Sequence, residues 1–439
     1  MSRRLPGEPS NDNAGWSTGN DQVRTERYDN SQIISDSIAN DLHRTVVISA
    51  ETVITPYDIL KNQAITIRDG LIISIQPVEA ALAANGPAGN AIRNYDIIVP
   101  GFIDIQVNGV GSVDVASASS GQMEEIGRAL LAQGTTTWCP TVITAPLPEL
   151  ESQLQKINDI ALHPIEDLPH IAGAHLEGPF ITVAGAHPTE YMIAKVDLDV
   201  LRRLAPYLTI ITLAPEIDGA MDAIRYLSSE GVVVSLGHSN CTAEQAHDAI
   251  DRGAGLVTHL GNAMSAMHHR KPGLVGAGLE DGRVRVSLIA DLIHSHPYFL
   301  ELAFKSKGPD HIAIITDSVA AGLGVIGAAP INSSPSDDDD NAYIPRTADG
   351  QLAGSTVTMP QSIANLHNRC SIELTSCIEA ATASPARLLG LSDRGHIAIG
   401  NQADLVALQK DTFSVQATYI NGTLAYSPPT GLYNAQTAE

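Results

Sequence analysis

The chain has no apolar run near the roughly 18 residues that a membrane helix needs, so no membrane-spanning role is expected. Its opening stretch, MSRRLPGEPS, lacks the apolar core of a secretory signal. Cysteine is scarce as well: the 4 present, Cys139, Cys241, Cys370 and Cys377, show no CxxC spacing. They read as reduced, buried thiols and, with the missing signal, predict a cytoplasmic protein. Positive charge is the third scarcity. Against 49 Asp and Glu stand only 26 Lys and Arg, a formal net charge of -23. That balance argues against nucleic acid as a partner, because a phosphate backbone calls for a basic surface. A small phosphorylated ligand stays open, since it needs only a local cluster of donors.

What is present is a chain of 439 residues, 44% hydrophobic, long enough for one large core and a smaller unit. Residues 1–43 are polar and rich in Asn, Ser and Asp, and are expected to be a disordered extension. TVVISAETVITP and AITIRDGLIISIQP read as strands, the second with a turn at Asp69-Gly70. HIAIGNQADLVAL and ATYINGTLAY, near the other end, have the same texture. Residues 44–98 and 394–430 are therefore expected to form one small β-sandwich-like domain from both chain ends. Between them, over 99–393, short apolar strands alternate with helix-like segments such as QMEEIGRALLAQ, MDAIRYLSSE and AEQAHDAIDRG. Eight such strands without hairpin signals predict an α/β fold, a (β/α)8 TIM-like barrel, over the doubly wound open sheet that also alternates. The stretch SSPSDDDDNAYIPRTADG breaks the rhythm after the eighth strand, and its run Asp337 to Asp340 reads as a solvated loop.

In such barrels, active-site groups stand at the C-terminal ends of strands. Those ends carry Asp104, Gln106 and Asn108, then Glu177, Glu216, His238, His259, Asn262, His294 and Asp317. A lone strand-end histidine is more often a hydrogen-bonded core residue than a ligand; so many on one face point to a site. Glu177, His238 and His259 would supply one carboxylate and two imidazoles, a set suited to one divalent ion, Zn or Fe, with positions left open for water. Such an ion acidifies water and polarises a carbonyl. Asp317 would then take a proton from that water and return it to a leaving amine; its rival role is a helix N-cap in TDS. In GAHLEGPF, His175 and Glu177 share a strand face. Glu177 lies where a third ligand is needed, and His175, one step deeper, reads as a supporting lumen residue. HHRKPG makes a local positive cluster in which Arg270 could grip a phosphate, the alternative being an exposed basic turn.

These residues carry a resemblance. VPGFIDIQVNG, GAHLEGPF, LAPE, LGHSN, THLGNAM, RKPGLVGA, ITDS and LAGSTVTM occur in the order found in N-acetylglucosamine-6-phosphate deacetylases of the amidohydrolase superfamily. ATASPARLLGL and GHIAIGNQADLVAL are similar to that superfamily's C-terminal signature, so the resemblance spans residues 44–425. It implies a distorted barrel with a small β domain, and hydrolysis of the acetamide of a small phosphorylated amino sugar, N-acetylglucosamine 6-phosphate, to glucosamine 6-phosphate and acetate. It places metal ligands on Glu177, His238 and His259 and the catalytic carboxylate on Asp317. It also implies acetamide contact by His187 and sugar-phosphate contacts by Arg270, His294, Asn262 and Ala263, with Ala353 and Gly354 closing the acetyl pocket. A homodimer or dimer-based oligomer is implied too, because in relatives the arginine reaches across an interface.

Three departures stand out. Many amidohydrolases have His-x-His at the end of strand one, binding a second metal; here Gln106-Val107-Asn108 stands there, so one ion per subunit is expected, with Gln106 and Asn108 as supporting residues. Gly261 replaces a usual aromatic, and Leu292 a usual glycine. The alternatives are another amidohydrolase, an N-acyl amino acid deacylase or cyclic amidase, or a non-catalytic scaffold on the same barrel.

Overall fold

The computed structural model describes residues 45–55, 58–85, 92–320, 329–330, 343–347 and 350–429. The expectations for residues 1–43 and for Asp337 to Asp340 lie outside them. Among the described residues no helix is long and apolar enough to cross a membrane.

Eight parallel strands form the predicted barrel: Phe102–Val107, Thr135–Ile143, Ala174–Glu177, Leu208–Leu213, Val233–Leu236, Ala254–Val257, Arg285–Ile289 and Ile312–Ile315, each paired with the next. The strands are buried along most of their length. They read as near-continuous apolar runs because helices cover their outer face. The ring is drawn together at its rim, where the Asn108 and Gly109 N–H groups both donate to the Ser318 carbonyl, at 2.8 and 3.0 Å. The helix-like segments form Ser120–Ala132, Ala220–Ser229 and Ala243–Asp251. Ser119 with Gln122, and Thr242 with Gln245, close capping boxes at two of these helix starts. Each satisfies N–H groups that the helix itself leaves unpaired.

The chain ends meet in a seven-stranded sheet. Its order is Thr423–Tyr426, Val415–Ile420, Leu405–Leu408, Arg93–Pro100, Thr45–Ile54, Ile59–Arg68, Leu71–Pro77. Four strands come from the N-terminal side and three from the C-terminal side, joined where Leu405–Leu408 pairs antiparallel with Arg93–Pro100. The turn at Asp69-Gly70 is as expected: both residues have positive φ, 51° and 80°, the twist that suits a two-residue hairpin.

Candidate active site

A cavity of about 690 Å³ opens at the C-terminal ends of the barrel strands. Asn108, Glu177, His187, His238, His259 and Asp317 line it, together with Asn262, Ala263, His294, Ala353 and Gly354. Gln106 and His175 lie inside the first and third strands, fully buried beneath this layer. Arg270 is placed apart from them. It is exposed on a turn where His268 pairs with Lys271, its Nη1 lies 2.7 Å from His269 Nε2, and it does not line the cavity of this chain. Thr347 and Gln351, which sequence reasoning left in or beside the acidic insert, do line it, as does Leu352 at the start of LAGSTVTM.

One backbone device recurs at the rim. His238, His259 and Asp317 each stand two residues past a strand end, and each has positive φ, 49°, 27° and 48°. For residues other than glycine this conformation costs about 1–2 kcal/mol, and it persists only where neighbours hold it. The neighbours are visible. The His238 carbonyl accepts the Thr182 and Val183 N–H groups, both at 2.9 Å. The His259 N–H donates to Ser287 Oγ at 2.7 Å, and the Asp317 carbonyl accepts the Ser355 N–H at 2.9 Å.

Glu177 is the centre of the cluster. Its Oε1 lies 2.9 Å from His259 Nε2 and 3.2 Å from His238 Nε2, and those two nitrogens are 3.2 Å apart. Ligand atoms at about 2.0–2.1 Å from a tetrahedral ion are about 3.3 Å from one another, so the triangle has nearly the edge lengths of a metal site. The tautomers agree. His238 Nδ1–H donates to the Val183 carbonyl at 2.8 Å, which leaves an Nε2 lone pair facing a carboxylate oxygen. A cation relieves that opposition.

His187 competes for the third position. Glu177, His187 and His238 also offer ligand atoms within 4.8 Å of one another. The difference lies in the far nitrogen. His187 Nδ1 accepts the Thr144 N–H at 3.4 Å and lies 2.8 Å from the Thr144 hydroxyl. Its proton is therefore on Nε2, which faces Glu177 Oε2 at 3.5 Å as a donor. A protonated nitrogen has no lone pair to give a metal. His259 Nδ1 is buried with no hydrogen-bond partner among the described residues, and its Nε2 meets the same Glu177 oxygen that a cation would share, at 2.9 Å. Glu177 and His238, with His187 or His259 as the third group, offer the donors for a divalent ion.

Two amides bind the carboxylates together. Gln106 Nε2 donates to Glu177 Oε1 and to Asp317 Oδ1, each at 3.1 Å, while its carbonyl accepts the Thr258 hydroxyl at 2.8 Å and so fixes which end faces which. Asn108 Nδ2 adds a bond of 2.8 Å to Asp317 Oδ1. An amide nitrogen thus stands between the two carboxylates, where a second cation would be needed to join them. Burial, and then the charge of Glu177, push the Asp317 carboxyl up to about 6. Burial also works against the Glu177 charge, but the imidazoles of His187, His238 and His259 gathered around it outweigh burial and hold that carboxyl well below its ordinary value.

Deeper down, His175 lies 3.1 Å from the Ile105 carbonyl through Nδ1 and 2.8 Å from the Thr212 hydroxyl through Nε2. Burial pushes it down to about 4, a neutral imidazole spent on the lumen. Asp104 accepts the Thr316 hydroxyl at 2.6 Å and steadies the residue that precedes Asp317.

Residues 97–425 match the amidohydrolase family. The chain belongs to that family. Among its relatives, the N-acetylgalactosamine-6-phosphate deacetylase of Escherichia coli O157:H7 is 33% identical over 387 residues, 87% of this chain and 99% of that protein. The N-acetylglucosamine-6-phosphate deacetylase of Rattus norvegicus is 38% identical over 359 residues, 75% of this chain and 83% of the other. A solved mutant of the Mycobacterium smegmatis N-acetyl-D-glucosamine-6-phosphate deacetylase, in complex with N-acetyl-D-glucosamine-6-phosphate, superposes with a TM-score of 0.76 at 28% identity, covering 87% of this chain and 100% of that one.

In this amidohydrolase the two loop departures have physical settings. Gly261 has φ 93°, and a Cβ built there would lie 3.1 Å from Phe299 Cζ, so the ring of Phe299 fills the space beside it. Leu292 has φ 64°, a conformation that glycine adopts without strain. No pattern in the sequence marks Asp291. Its Oδ1 accepts the Ile293 and His294 N–H groups at 2.9 and 2.8 Å, and its Oδ2 takes His294 Nδ1–H at 2.6 Å. With Nδ1 bound to Asp291, it is His294 Nε2 that is left for a ligand.

Proposed function

We propose that the chain hydrolyses the acetamide of N-acetylglucosamine 6-phosphate to glucosamine 6-phosphate and acetate. The observation that carries this reading is the convergence of Glu177 Oε1, His238 Nε2 and His259 Nε2 within 3.2 Å of one another in a cavity that Asp317 also lines. Glu177, His238 and His259 would hold one divalent ion, zinc or iron, whose chemistry is to polarise the acetamide carbonyl and to acidify water. Asp317 accepts a proton as the water oxygen bonds to the acetamide carbon, then delivers it to the nitrogen as the C–N bond breaks. Its raised pKa suits both halves of that task. His187, with its proton on Nε2, donates to the oxygen on which charge develops.

The phosphate end rests on different support. His294, Asn262 and the backbone at Ala263 line the cavity, while Arg270 stands outside it. A dimer in which Arg270 of one chain serves its partner's cavity reconciles that placement with the resemblance, and a cytoplasmic location fits a sugar-phosphate substrate. A second reading, the C4 epimer, is favoured by the Escherichia coli relative named for N-acetylgalactosamine 6-phosphate.

The test is acetate release from 6-phosphorylated and free N-acetylglucosamine and N-acetylgalactosamine, with divalent metals added singly and metal content measured. Turnover confined to N-acetyl amino-sugar 6-phosphates supports the reaction, and the preferred epimer names the sugar. Turnover of N-acyl amino acids instead, or a metal-free chain that stays inactive after every addition, would refute it.

A further inference from the structure

Glu216 stands three residues past the fourth barrel strand, in LAPE, among the strand-end polar groups. It does not line the cavity, and no step above uses it. Its surroundings are specific. Oε1 accepts the Asn240 N–H at 2.8 Å and also the Thr182 hydroxyl. Oε2 accepts the Ser239 hydroxyl at 2.6 Å. Thr182 belongs to the loop after the third strand, Ser239 and Asn240 to the loop after the fifth. One half-buried carboxylate therefore spans both loops with three donors, and a carboxylate, acceptor at every lone pair, is the side chain that can do so.

Those two loops are the ones that aim His238. The first supplies the Val183 carbonyl that takes His238 Nδ1–H at 2.8 Å. It also supplies the Thr182 and Val183 N–H groups that bind the His238 carbonyl, both at 2.9 Å. The second loop begins at His238 itself, in its left-handed conformation. Glu216 grips Thr182 on one side of this exchange and Ser239 and Asn240 on the other. We propose that Glu216 is a positioning residue: it staples the two loops and thereby fixes the direction in which His238 presents Nε2 to Glu177 and the ion. The proposal rests on His238 being a metal ligand.

A staple that only supported the fold would lower stability and leave the ion's environment alone. A staple that aims His238 changes affinity and ligand field. The experiment titrates the metal-free full chain with Co²⁺ alone, without substrate. The dissociation constant is read by chelator competition, and the visible absorption of bound Co²⁺ reports its geometry. Partners that orient metal ligands are typically worth about 10–100-fold in metal affinity. Glu216→Ala is expected to weaken Co²⁺ binding within that range and to alter its spectrum. Glu216→Gln keeps an oxygen for Thr182 and Asn240 and is expected to restore most of the affinity. Wild-type affinity and spectrum in Glu216→Ala would overturn the proposal. If that variant does not fold, Thr182→Val combined with Ser239→Ala removes two of the three donors, and unchanged Co²⁺ binding there overturns it equally. His238→Ala separates the premise: if it binds Co²⁺ like the wild type, the assignment of His238 as ligand fails, whatever Glu216 does.

Discussion

The cluster around Glu177 and the turn at His268–Lys271 are two halves of one expected site, and they are built in opposite ways. Glu177, His238, His259 and Asp317 are all buried, and their hydrogen-bond partners come from several barrel strands or the loops after them. Every group there is held by a second group. The turn is exposed along its length, and Arg270 there meets its neighbour His269. Reaction chemistry requires fixed geometry in low dielectric, which a barrel mouth supplies. A phosphate needs charge within reach, and this chain's own cavity does not include Arg270. One half is complete within a single chain; the other is a surface.

The strongest test of the complete half is Asp317→Asn. The amide keeps the shape and accepts from Asn108, but it cannot carry the proton. A fall in kcat of about 10²–10⁴ is expected, with metal content unchanged. Loss of metal with turnover preserved would reverse the roles given to the two carboxylates. Gln106→Leu comes next. It removes one donor from Glu177 and one from Asp317 and leaves the Thr258 hydroxyl facing a methyl group. About 10–100-fold lower activity or metal affinity is expected, read by metal content and by kcat in saturating metal. Wild-type behaviour would mean the amide between the carboxylates is incidental.

Arg270→Ala tests the exposed half. A hydrogen bond to a charged group is worth about 1.5 kcal/mol or more, so KM for the 6-phosphorylated sugar is expected to rise about tenfold. The free sugar should be unaffected, which a comparison of the two KM values checks. Equal losses on both substrates would remove the phosphate role and leave the turn as surface only.

How far the sequence could be read follows the same division. Glu177, His238, His259 and Asp317 were legible because each interrupts an apolar strand pattern at a place where barrels put chemistry. The barrel was legible for a related reason: strands buried on both faces write continuous apolar runs. What holds the cluster was legible only in part: Gln106 and Asn108 were expected as supporting residues, and they donate to Glu177 and Asp317, but the rest was hidden. The Val183 carbonyl and the Thr144 N–H are backbone groups that any residue type would supply. Asp291 and Thr258 are ordinary polar residues whose meaning lies in a rotamer. Arg270 shows the converse, a conspicuous motif whose position in the fold no local pattern fixes.

Gly261 lies between the two halves, two residues past His259 and seven before His268, and it offers the smallest and sharpest test of whether they are mechanically separate. An alanine there would have to keep φ near 93° with its Cβ 3.1 Å from the Phe299 ring. Left-handed backbone costs an alanine about 1–2 kcal/mol, partly offset by about 0.4–1 kcal/mol from a less free unfolded chain. A net loss of about 1 kcal/mol is expected for Gly261→Ala, measured as a shift in the urea midpoint. The two causes can be divided by repeating the change in Phe299→Ala. If the ring is the obstacle, Gly261→Ala becomes milder there; if the backbone is, the loss is the same in both backgrounds. Should the strain spread instead toward Asn262 and His259, Co²⁺ affinity would fall along with stability. Unaltered affinity is the expected result, because the His259 N–H is tied to Ser287 on the neighbouring strand and the loop that follows, through Asn262, binds only its carbonyl.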